Sequence, residues 1–84
     1  MSDEEFDVID ELYFVTPYKE LKSALDFTDN SLQSILINLI EKGWVKLFVT
    51  VDEEADLTQV DIDKDFQSCF FLASKKGLFE HNTQ

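Results

Sequence analysis

Thr16 to Val51, TPYKELKSALDFTDNSLQSILINLIEKGWVKLFVTV, reads as helix, tight turn, helix, strand, and that order decides the fold. Thr16 is expected as a cap and Pro17 as the first helical residue, where a missing N–H costs nothing. Tyr18, Leu21 and Leu25 then form the inner stripe of a short helix over 17–25. Asp26-Phe27-Thr28 makes the turn. Thr28 can cap the next helix, with Asp29 and Asn30 in its first turn. Leu32, Ile35, Leu36, Leu39 and Ile40 recur at i, i+3, i+4, i+7, i+8, which predicts a helix over 29–42. Gly43 follows Lys42 as a left-handed cap. From Trp44 to Val51 the chain alternates and is rich in β-branched and aromatic residues, so it reads as a strand over 44–51.

Upstream of this stretch, Ser2-Asp3-Glu4-Glu5 is a capping box in front of Phe6, Ile9, Leu12 and Tyr13, and predicts a first amphipathic helix over 3–14. Downstream, residues 66–73 read as a second strand of the same kind as 44–51. The fourteen residues between the strands, 52–65, hold seven acids and one lysine with no Gly or Pro. They read as a long charged loop, mobile for want of a tight turn. Ser74 can cap a short closing helix, and the polar end from Glu80 onward is expected to fray.

Eighty-four residues support one small core, here a single domain over 1–84. The net charge is −11, from 18 acids against 7 bases, and every base is a lysine. The missing arginines matter. A guanidinium fork is the usual tool for bidentate contact with phosphate and guanine. A field of this sign repels DNA and anionic membranes. The lone Cys69 permits no internal disulfide, and its place in a strand predicts a buried small hydrophobe. The longest apolar run, Cys69 to Ala73, is five residues, far short of a membrane span. With an acidic N-terminus that is unlike a signal peptide, these features predict a cytoplasmic protein.

The order helix, helix, turn, helix, strand, loop, strand resembles the winged helix-turn-helix superfamily, in particular small bacterial regulators of the MarR and ArsR type. The residues that carry the likeness are Glu20-Leu21, Leu25-Asp26-Phe27-Thr28, Leu39-Ile40-Glu41-Lys42-Gly43-Trp44-Val45 and Phe71-Leu72-Ala73-Ser74-Lys75-Lys76-Gly77-Leu78. The last two look like that family's LxxKGxV helix end and xLTxxG entry into its final helix. The resemblance covers nearly the whole chain. It implies an α+β winged-helix domain: a three-helix core, a two-stranded β wing and a short C-terminal helix. Winged helices serve both DNA and protein partners, so the fold alone does not assign a role.

In a DNA-reading member the exposed face of the third helix makes the base contacts. Here that face is expected to present Asn30, Gln33, Ser34, Ile37 and Asn38, with Glu41 at its end. Asparagine and glutamine can read adenine, but the face holds no cation, and the wing is the most acidic part of the chain. The same residues also suit the solvated side of a core helix. Trp44 and Phe48 share one side of the strand and Val45, Leu47, Val49 and Val51 the other. One apolar set is therefore a candidate partner or dimer surface, unless Trp44 folds over the core at the helix–strand junction.

Other chemistry finds little support. Asp61-x-Asp63-x-Asp65 starts like a calcium loop, but Phe66 stands where glycine is needed and Leu72 where the bidentate acid is due. His81 is expected to be exposed. No nucleophile–base set, phosphate-binding loop or metal-ligand cluster is present, so neither enzymatic activity nor a cofactor or metal is expected. The expectation is a regulatory or protein-interaction module with a partner of basic character or a second copy joined through the first helix. The alternative is a transcriptional regulator that reads DNA through the third helix, with Lys19, Lys22 and Lys42 gathered around it.

Overall fold

The computed structural model describes residues 1–83. Helix α1 spans Asp3–Asp10 and opens on the expected capping box: Ser2 Oγ accepts from the Glu5 N–H (3.1 Å) and Glu5 Oε1 accepts from the Ser2 N–H (3.0 Å). The helix stops at Asp10 instead of running to residue 14. Glu11 and Leu12 donate to carbonyls three residues back, a tighter winding that ends the helix while Leu12 stays in the core. The Leu12 carbonyl then accepts from the Ala73 N–H (2.8 Å), and the chain swings out through Tyr13 and Phe14.

Thr16 and Pro17 form a strand, not the start of a helix. Strand β1 is Thr16–Pro17, with Thr16 opposite Phe71 and Pro17 opposite Phe70. Proline has no N–H to give to a ladder, which suits it to this two-residue edge. Pro17 thereby becomes the cap of α2 (Tyr18–Ala24) instead of its first residue, and the Tyr18 N–H bonds to the Cys69 carbonyl (3.1 Å). Leu25 is extended and already outside the helix.

Helix α3 (Asp29–Glu41) agrees with the sequence reading to one residue; Thr28 Oγ1 accepts from the Ser31 N–H (3.2 Å) at its start. Its end is a Schellman turn. Gly43 takes φ 78°, its N–H bonds to Ile40 O (3.0 Å) and the Trp44 N–H to Leu39 O (2.9 Å). A Cβ on Gly43 would meet nothing within 4 Å, so it is the left-handed conformation, not space, that calls for glycine.

The sheet has four strands where two were expected. Strand β2 (Val45–Thr50) pairs with β3 (Glu53–Ala55) and with β4 (Phe70–Ala73), every pair is antiparallel, and the order is β1-β4-β2-β3. The segment 52–65, expected as an open loop, thus supplies a strand. It continues through a 3-10 turn at Leu57–Gln59 and rests Leu57, Val60 and Ile62 on the core. The strand expected over 66–73 is also shorter: Phe66–Ser68 is a 3-10 turn that plants Phe66 in the core, and only Phe70–Ala73 is extended. Helix α4 (Lys75–Asn82) closes the fold.

The result is a small α+β domain in which four helices and the sheet enclose one core. Leu32, Leu36 and Leu39 of α3 and Leu21 of α2 meet Val45, Leu47 and Phe71 of the sheet, all essentially fully buried. Phe66 and Phe71 pack with ring centroids 5.2 Å apart, and Tyr18 stands edge-on to Phe66 at 6.4 Å.

Candidate functional site

The five α3 residues singled out from sequence do not share one free face. Asn30, Ser34 and Asn38 are exposed, whereas Gln33 and Ile37 are half-buried and Ile37 packs against the core. Ile37 is therefore part of a wider apolar stripe than the heptad-like spacing suggests. At the start of α3, the Tyr18 hydroxyl donates to Asp29 Oδ1 at 2.7 Å. Burial and then the Asp29 carboxylate push the Tyr18 phenol up to about 12, while a hydrogen bond with Gln33 pulls the other way. Two of the polar groups at the helix start are thus committed to holding α2 against α3.

The lysines are divided. Lys19 and Lys22 line a shallow surface depression with Tyr18, Ser23, Asp29 and Gln67 at the beginning of α3. Lys42 lies at the other end, thirteen residues on, which is about 20 Å along a helix. There its ammonium bonds to Glu5 Oε2 and sits 4.7 Å from the centre of the Trp44 ring. Burial alone would raise the Glu5 carboxyl. The hydrogen bonds from Lys42 and from the Ser2 backbone more than offset it and leave the group below its ordinary range.

Trp44 and Phe48 also part company. Trp44 precedes β2 and folds against the core, its indole nitrogen buried without a hydrogen-bond partner among the described residues. Phe48 lies within β2. Leu47 faces the core opposite Phe71, so by alternation Phe48 and its partner Phe70 face away from the helices. The register extends this row across all four strands: Pro17, Phe70, Phe48 and Glu54 stand side by side, with the Leu72–Lys46 pair in the next row. Phe48, Phe70 and Leu72 are half-buried and belong to no part of the core cluster. Pro17 and Phe70 escaped the sequence reading because the row is made by long-range pairing: Phe70 meets Phe48 across 22 residues and Pro17 meets Phe70 across 53.

His81, expected to be exposed, is only 7% exposed. Its ring stacks on Phe6 (4.1 Å, 17°), Tyr13 Oη lies 3.1 Å from Nδ1, and Nε2 is 3.2 Å from Asp10 Oδ1 without the alignment of a hydrogen bond. Phe6, Tyr13 and Asp10 fall on one side of the first helix by their spacing, so half of this cluster was readable. Its partner across 68 residues was not. The phenol's contact with the imidazole and the stacked Phe6 ring tie the end of α1 and the turn after it to the end of α4.

The acidic run at 61–65 is a turn device. Asp61 Oδ1 accepts from the N–H groups of Asp63 (3.0 Å) and Lys64 (3.2 Å), which leads the chain into the Phe66 turn. Cys69 is buried as expected, one residue before β4, and burial followed by the nearby Asp65 raises its thiol. No helix among the described residues is long and apolar enough to cross a membrane. Compared with protein-family models, with curated proteins and with solved structures, this chain finds no match.

Proposed function

We propose that this chain is a winged-helix module that binds a protein partner and does not depend on contacts with DNA. The element order α1-β1-α2-α3-β2-β3-β4-α4 supports the winged-helix reading: a helix-turn-helix is followed by a β-hairpin, and the short strand between the first two helices joins the sheet. The extra strand β3 widens the wing.

The observation that carries the functional part is the fate of Lys42. Of the three lysines that could have ringed α3, it is the one at the helix's far end, and it is held by Glu5 and Trp44. Nonspecific DNA affinity comes chiefly from cations at phosphates, so a face with Asn30, Ser34 and Asn38 flanked by Asp29 and Glu41 gains little from that source. One observation favours the DNA-reading alternative, the nearness of Lys19 and Lys22 to the start of α3.

An amide-resolved NMR titration with mixed-sequence duplex DNA at low salt decides between them. Electrostatic binding is strongest under that condition. The expected outcome is no saturable shift over residues 29–38. Saturable shifts there and at Lys19 and Lys22, reversed by added salt, would establish DNA reading and overturn the proposal.

A further inference from the structure

We infer that the outer face of the sheet docks a basic polypeptide segment, whose arginine or lysine side chains lie over Phe48 and Phe70 and reach Glu54. The inference rests on the protein-partner reading and adds where the partner binds and what its chemistry is.

The face is built for a cation that also has apolar bulk. Phe70 and Phe48 are directly paired across β4 and β2, Pro17 closes the row at one end and Glu54 at the other. An aromatic ring attracts a cation to its face. A guanidinium can stack there while its fork engages a neighbouring carboxylate. Glu54 is the acid, and Lys46 the one base, that the strand register sets on this face. A second copy is a poor occupant, because each copy carries a net charge of −11. Strand addition at the edge is also a poor mode: β3 is three residues long and two of them are glutamates, features that deter edge pairing. Contact through side chains on the face remains, with the acidic surface speeding encounter.

The test uses the full isotope-labelled chain and two synthetic hexapeptides, one alternating arginine and tryptophan, the other glutamate and tryptophan. The first is expected to give saturable shifts concentrated on Lys46–Thr50, Glu53–Ala55 and Phe70–Leu72, and the second none. Phe48→Thr, which keeps a strand-forming residue, and Glu54→Lys, on an exposed position, should each weaken binding at least tenfold while leaving the remaining amide spectrum in place. Saturable binding that maps to α1 or α3 and ignores both substitutions would overturn the sheet-face site but leave the protein-partner reading standing. Binding of the acidic peptide as tightly as the basic one would overturn the charge argument. A concentration-dependent dimer in sedimentation, lost in Phe48→Thr, would assign the face to a second copy instead. Failure of the partner reading itself has a separate signature, the DNA-induced shifts over residues 29–38.

Discussion

A Cβ built on Gly77 would stand 2.1 Å from the Trp44 carbonyl oxygen and 2.9 Å from its carbon. Both obstacles are backbone, so no side-chain rotation relieves them, and Gly77 is held by close approach where Gly43 is held by its φ. Gly77→Ala should therefore destabilise by about 3 kcal/mol or more, the upper end for overpacking, as read by urea denaturation. An unchanged midpoint would mean that α4 can slide off β2 freely. Tyr18 makes a different kind of prediction. Its phenol is raised above the unfolded value, so the folded chain holds that proton more tightly. The associated stability is complete below about pH 10 and is lost as pH rises toward about 12. The wild-type chain should lose more stability than Tyr18→Phe between pH 9 and 11. At neutral pH the variant should be about 1 kcal/mol less stable for want of the bond to Asp29.

Ser74 shows how one residue fastens three elements. Its Oγ accepts from the Gly77 N–H (3.0 Å) to cap α4 and donates to the Gly43 carbonyl (2.6 Å) at the end of α3, while its own N–H bonds to Trp44 O ahead of β2. Ser74→Ala gives up a cap worth about 1 kcal/mol and a second bond of similar size, so a loss of about 2 kcal/mol is expected in thermal or urea unfolding. Ser74→Thr keeps the hydroxyl and should recover most of it. This junction was half legible in the sequence, because a cap announces itself locally and a carbonyl 31 residues away does not. The same division runs through the fold. Helix α3 was readable because five aliphatic residues and a Thr28 cap sit within one helix. Strands β1 and β3 were not: neither has an apolar alternation of its own, and each exists because β4 or β2 offers it an edge. The recognition face was read from helical spacing alone, which could not show that Gln33 and Ile37 turn toward α2 and the core. Likewise, helical spacing counted Tyr13 as a residue of the first helix; in the fold it lies beyond α1, bonded to a histidine.

For the molecule as a whole, charge sets the terms. With 18 acids against 7 lysines, and only Glu5 drawn to a lysine as an ion pair among the described residues, the folded chain works against its own field. Screening should help it. Raising sodium chloride from about 20 mM to about 500 mM shortens the Debye length from roughly 20 Å to below 5 Å, and the melting temperature should rise by several degrees. A flat or falling melting temperature would mean that attractive pairs such as Lys42–Glu5 dominate. The strand order has a consequence for how such a chain comes into being. The strand that lies between β1 and β2 is β4, the last of the four in sequence. While the polypeptide is being made, β2 and β3 can form their hairpin early, but β1 waits without a neighbour and the Leu12 carbonyl without the Ala73 N–H until residues 70–73 have emerged. Synthesis from the N-terminus therefore leaves the pairing of the sheet's two halves to the latest of its strands. A chain cut before Phe70 would leave β1 without a neighbouring strand and Leu47 with no Phe71 opposite it, so the two ends of the fold are held together through a single four-residue strand.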